Sequence, residues 1–256
     1  MSRGKRIAAT AAEVYRAIAD ERAAAAAAEA ADAEAAGEPA PGLRERKKQR
    51  MRDLISDIAT GLFIERGFEA VTMAEIARAA DVSVKTIFNY FGNKEDLFFD
   101  RAGEVLDQFT RAITERPPGV TITGSLCALL SDRIAPVAGV TWELLDDPRL
   151  YAGFQAFRRT EARSPALTAR RMVMLDEWTS VLAGVLRDDL GLDEDDLRAD
   201  VLAALLMSGI WLRDHTLSDA LLADLPRAEV ERRVRATAEL VFARIALAFE
   251  DLDRPR

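Results

Sequence analysis

The chain has 256 residues, 49% hydrophobic and 30% charged, which is enough apolar matter for a core and enough charge to solvate it, so disorder throughout is excluded. Aromatics at 7%, with 14 Gly and 9 Pro, argue against an all-β sandwich, which needs frequent turn residues; abundant Ala, Leu, Glu and Arg favour an all-α fold. The net charge of −8 is uneven, at −2 over residues 1–42, +2 over 43–95 and −8 over 96–256.

A single cysteine, Cys127, excludes an intramolecular disulfide, and a single histidine, His215, excludes a site built on two His ligands. No metal and no cofactor are expected, and His215 reads as a surface or helix-end residue. The longest apolar stretch, Val201 to Leu212, is broken by Ser208 and Gly209 and falls short of the roughly 20 residues needed to cross a bilayer. Glu13, Asp20 and Glu21 stand where a signal peptide needs an uncharged apolar segment. The expectation is a cytoplasmic protein with no membrane partner.

In chain order, residues 8–36 hold 17 alanines in 29 positions and end in the linker Gly37-Glu38-Pro39-Ala40-Pro41-Gly42. Residues 1–42 are expected to form an extension and linker, partly disordered or loosely helical, with little side chain to bury. Arg44, Arg46, Lys47, Lys48, Arg50 and Arg52 then fall within nine residues, opposed only by Glu45. That cationic patch suits a polyanion, the alternative being a solvated helix start. Met51, Leu54, Ile55, Ile58, Leu62 and Phe63 recur at three and four residues and predict a helix from 43 that stops at Gly67. Thr72-Met73-Ala74-Glu75 has the form of a capping box opening a short helix over about 73–80, with Ile76, Ala77 and Ala80 on its buried face. Asp81, which tolerates a left-handed backbone, and Val82 make the turn, and Ser83 caps a third helix from Val84 to Tyr90. Asn93 with Asp96 caps a fourth, longer helix through Leu97, Phe98, Val105, Leu106 and Phe109. Ile87, Phe63, Ile76 and Val82 are expected to be structural.

Two short helices joined by a tight turn, behind a longer helix and a basic arm, describe a helix-turn-helix unit of three helices over 43–92. The second short helix fits a major groove roughly 12 Å wide, and the basic arm can hold flanking phosphates. At this point the chain resembles the amino-terminal domain of TetR-family transcriptional regulators. The resemblance rests on Phe63-x-x-x-Gly67-Phe68, Thr72-Met73-Ala74-Glu75-Ile76-Ala77, Val82-Ser83-Val84-Lys85-Thr86-Ile87-Phe88-Asn89-Tyr90-Phe91 and Asn93-Lys94-Glu95-Asp96-Leu97, within residues 44–101. It implies double-stranded DNA as partner, with Ser83, Val84, Lys85, Thr86 and Asn89 at the reading helix, Tyr90 and Lys94 on phosphates, Thr72 beside the backbone, and Arg44 on a neighbouring minor groove or phosphate. Chemically, Lys85 can donate to guanine O6 or N7, and Val84 and Thr86 can meet a thymine methyl. Lys85 and Phe88 depart from the family's usual small residue and tyrosine.

Residues 93–256 are expected to form a helical ligand-binding and dimerisation domain, with helices at roughly 121–135, 140–145, 148–160, 165–190, 194–220 and 227–250 between the breaks at Pro117-Pro118-Gly119, Asp146-Asp147-Pro148, Ser164-Pro165, Gly191 and Leu225-Pro226. The last two carry the candidate homodimer face, Val201, Ala204, Leu205, Ser208 and Leu212 on one and Val234, Val241 and Ile245 on the other. The alternative is that they pack within one protomer. A twofold dimer reads both halves of a palindrome, which one short helix cannot. Trp142, Phe154, Phe157, Arg158, Met174 and Trp178 are candidates for contact with a small-molecule effector, plain core being the alternative for each.

The expected function is therefore a homodimeric, ligand-responsive regulator, a repressor released from a palindromic operator by its effector, with the fourth helix as lever. A nonspecific DNA-binding protein and an all-α enzyme using Asp188-Asp189 or Glu194-Asp195-Asp196 are the alternatives. No nucleophile or base stands at a telling spacing to those carboxylates, so no catalytic residue is expected.

Overall fold

The structure is a computed structural model that describes residues 42–135 and 141–252. The Ala-rich extension and most of its linker lie outside them. The described residues are helical apart from turns and one isolated bridge between Arg133 and Thr141. They divide into two compact units. The first comprises residues up to Asp100 together with Leu144–Thr168, the second Arg101–Glu143 together with residues from Ala169 on. The first division falls at 100/101 rather than at 92/93, and a later segment returns to the amino-terminal unit.

In the first unit, helix α1 (Leu43–Arg66) ends where Gly67 takes φ 86 and ψ 147, donating its N–H to the Phe63 carbonyl at 2.8 Å; that backbone conformation is open almost only to glycine. Helix α2 (Met73–Ala79) starts with both halves of the capping box, since Glu75 N–H donates to Thr72 Oγ1 and Thr72 N–H to Glu75 Oε2. Asp81 makes the turn at φ 54, and Ser83 Oγ accepts from the Thr86 N–H to open α3. Helix α3 runs Val84–Phe88, and Asn89 and Tyr90 belong to the turn beyond it.

The expected long fourth helix is two helices, α4 (Glu95–Phe98) and α5 (Ala102–Thr114). Asn93 Oδ1 does accept the Asp96 N–H at 2.8 Å, but Phe99 leaves the helical region at φ −100 and ψ 33. The single lever is thus interrupted at residues 99–101. Helix α7 (Pro148–Ala162; α6 belongs to the second unit) begins with Asp147 accepting the Arg149 N–H and proline in its first turn, where a missing donor costs nothing.

Phe63, Phe68, Val71, Ile76, Ile87, Phe91, Leu97 and Phe98 form the core of this unit, with Phe157 of α7 packed against it. Phe157 stacks on Phe98 at 4.3 Å between ring centroids, 5° from parallel. Val82 is only partly buried against this core.

In the second unit α5 packs on α6 (Ile122–Asp132), α6 on α10 (Arg227–Ala248), and α10 on α9 (Leu197–Leu222). Helix α8 (Pro165–Leu190) begins in the first unit and continues in the second. The helix expected over 140–145 is a 3₁₀ turn at Glu143–Asp146; residues 136–140 lie outside the described part. Helices α9 and α10 approach closely at Gly209, where an added Cβ would stand 2.6 Å from Val241 Cγ1 and 3.2 Å from Ile245 Cδ1.

Candidate nucleic-acid interface

Helix α3 has one face to the core and the rest to solvent. Ile87 is fully buried, whereas Ser83, Lys85, Phe88 and Asn89 are exposed and Val84, Thr86 and Tyr90 half-buried. The local chemistry dictates this orientation: Ser83 fixes the first turn, Ile87 drives fully into the apolar cluster with Val84 and Tyr90 packed at its edge, and Lys85, Phe88 and Asn89 point outward. Ser83 Oγ and Thr86 Oγ1 also lie 2.8 Å apart, so the cap hydroxyl is already engaged.

The first two turns of α1 supply positive charge. Arg44, Arg46, Lys47, Lys48 and Arg50 are all exposed, and Lys48 lies loosely against Glu45 at 3.7 Å. Arg52, counted with them in the sequence, turns inward and is half-buried.

Two other expected contacts are placed differently from the reading helix. Lys94 lays its ammonium 4.1 Å from the centre of the Phe68 ring, and burial pushes its pKa down against the pull of Glu69 and Glu95. Thr72 spends its hydroxyl on the capping box, donating to Glu75 Oε2 at 2.8 Å. The backbone N–H of Thr72, then Arg66 at 2.7 Å, hold the Glu75 carboxyl down to about 2.

A match to the sequence model of the bacterial regulatory proteins of the tetR family covers residues 55–100. The HTH-type transcriptional regulator TcmR of Streptomyces glaucescens is 30% identical over 161 residues, spanning 61% of this chain and 67% of TcmR. The chain belongs to the TetR family. This TetR-family regulator is also 39% identical over 74 residues to the HTH-type transcriptional regulator HbdR of Aromatoleum sp. (strain CIB), covering 29% of this chain and 32% of HbdR. The crystal structure of native NalD from Pseudomonas aeruginosa aligns with 76% of this chain and 96% of its own at 18% identity and a TM-score of 0.49.

The remaining candidates are sorted by packing. Phe154, Phe157 and Arg158 belong to the first unit, and Trp142, Met174 and Trp178 to the second. Arg158 is buried and pairs with Glu161 at 3.0 Å. Trp142 is buried and donates its indole N–H to the Ser131 carbonyl; Trp178 meets Phe109 edge-on at 6.0 Å.

Of the dimer candidates, Val201, Ala204, Leu205, Ser208 and Leu212 form one exposed stripe on α9. Val234 and Ile245 are buried within the protomer and Val241 packs on Gly209, because their side of α10 faces α9 and α6. The exposed apolar stripe of α10 is instead Ala236, Leu240, Ala243 and Leu247. His215 is exposed on α9 beside Trp211 and Asp219.

Two of the carboxylates considered for catalysis, Asp189 and Asp196, have structural partners. Asp189 is buried in an ion pair with Arg116 at 2.7 Å. Asp196 caps α9 and is held by Arg198 at a pKa of about 2, which leaves no proton to donate near neutral pH. Sequence reasoning missed Arg213, which is buried and caps the end of α6 through the carbonyls of Leu130, Arg133 and Ile134. Among the described residues no helix is long and apolar enough to cross a membrane.

Proposed function

We propose that this regulator binds a palindromic operator as a homodimer, represses from it, and is released by a small-molecule effector. The observation that carries the DNA-reading part is the division of α3, with Ile87 buried and Lys85, Phe88 and Asn89 presented to solvent on a helix slim enough for a major groove. In this reading Lys85 donates to guanine, Val84 and Thr86 meet thymine methyls, and Asn89 and Ser83 flank them. Arg44 and the exposed cations after it, with Tyr90, hold phosphates. Lys94 and Thr72 take a smaller part, one packed over Phe68 and the other closed in its cap.

The dimer part is supported by the apolar stripes of α9 and α10, whose Leu240 and Leu247 are 59% and 68% exposed. A second copy of the chain would cover both stripes and set two reading helices about 34–36 Å apart, one turn of duplex. The effector part is supported by the large side chains of the second unit, with Met174, Trp142 and Trp178 as its candidate contacts.

Selecting duplexes from random DNA, then comparing the selected and random sequences at one salt concentration, tests the reading. A specific regulator prefers its site by roughly a thousandfold or more, whereas equal binding identifies a nonspecific DNA-binding protein. Sedimentation of the Leu205→Glu, Leu240→Glu double variant should show monomer where the wild type shows dimer. A thermal-shift screen of metabolites tests the effector, since a ligand at 100 times its dissociation constant adds about 2.7 kcal/mol of stability.

A further inference from the structure

Arg52 ends the cationic run of α1 but does not share its exposure. Its Nη1 donates to the Tyr90 carbonyl at 2.6 Å and its Nη2 to the Asp100 carbonyl at 3.3 Å, while the guanidinium carbon lies 4.3 Å from the centre of the Phe91 ring. We infer that Arg52 is a positioning residue for DNA recognition, seating the reading helix from behind rather than meeting phosphate. This inference rests on the DNA-binding reading above.

Helix α3 has five residues, far too few to hold itself. Its bearing comes from outside, most clearly at two places. Ile87 anchors it in the core, and the turn beyond its end is held at Tyr90 by Arg52, which donates to a part-buried backbone carbonyl there. The second arm of the same guanidinium grips Asp100, the residue at which the chain leaves the first unit, within the break between α4 and α5. One rigid planar group therefore ties the far side of the reading helix to the exit of its own unit. Only an arginine can do all three things at once: two diverging N–H donors for two carbonyls and a flat cationic face for a ring. A lysine keeps the charge and loses the fork.

The charge and the geometry of Arg52 can thus be separated experimentally. Arg52→Lys and Arg52→Gln would be compared with wild type, and with Arg46→Ala as an exposed-cation control, by fluorescence anisotropy on the selected operator across a salt series. Both Arg52 variants should weaken binding about tenfold to a hundredfold with the slope of log K against log salt unchanged, whereas Arg46→Ala should reduce that slope by about 1. Amide exchange without DNA should quicken from Ile87 to Phe91 in both Arg52 variants. Wild-type affinity in Arg52→Lys, or a reduced salt slope in Arg52→Gln, would overturn the inference and make Arg52 a phosphate contact; unchanged exchange would overturn it independently. If the wild type bound no duplex the DNA-binding reading would fall, yet the exchange result would still decide whether Arg52 holds this segment.

Discussion

Arginine serves opposite ends in the two units. In the first, Arg44, Arg46 and Arg50 stand in solvent and the caps of the reading surface join residues three apart, Thr72 with Glu75, Ser83 with Thr86 and Asn93 with Asp96, while Arg52 turns inward behind them to Tyr90 and Asp100. In the second, Arg116 and Arg213 are buried and reach across the sequence, one to Asp189 and the other to carbonyls about 80 residues earlier. A surface that must meet a polyanion keeps the cations of its outer face solvated and its helix caps local. A helical body with few aromatic residues spends cations on joining helix ends.

The sharpest way to break that contrast is to remove one partner of the buried pair. Arg116→Ala or Asp189→Ala should cost about 3–5 kcal/mol, because the remaining charge is left buried, and the loss should show in urea unfolding and in amide exchange of α5 and α8. A cost no greater than that of an exposed pair would remove the distinction between the units. Next in size, Gly209→Ala forces a Cβ against Val241 and Ile245 and should destabilise the α9–α10 pair by about 1–3 kcal/mol, again read in urea.

In the first unit the expected effects are smaller. Asp81→Val places a β-branched residue at φ 54 and should cost about 1–2 kcal/mol, while Asp81→Gly should leave stability nearly unchanged; thermal melts of the two variants distinguish strain from loss of the carboxylate. Smallest is the acid response of the α2 cap. Glu75 is held near 2 from an ordinary value of 4.5, so its contribution is present above the ordinary value and is lost as pH falls through the depressed one. The difference in melting temperature between wild type and Glu75→Gln should therefore persist at neutral pH and shrink between about pH 4 and pH 2.

The same contrast explains what could be read from the sequence. Capping signals, the left-handed Asp81, the stop at Gly67 and the helix between Pro165 and Leu190 are local, and each lies where its residue types require. The break at Phe99 was not legible because no glycine or proline marks it. The inward turn of Arg52 and the settling of Lys94 on Phe68 were not legible either: long cationic side chains choose among water, ring and carbonyl only once the fold supplies the partner. On α10 the periodicity marked the Val234, Val241 and Ile245 face as apolar without saying whether it met α9 or a second copy. The close approach at Gly209 decides it, burying Val234 and Ile245 and leaving Leu240 and Leu247 outside.

The most direct check is made at Lys85, on a selected operator and on duplexes that differ from it by single base pairs. Loss of about 1–3 kcal/mol for Lys85→Ala on the operator, with preference relaxed at one base pair and little change on random DNA, is the predicted result. Uniform weakening on every duplex would contradict base reading by this helix.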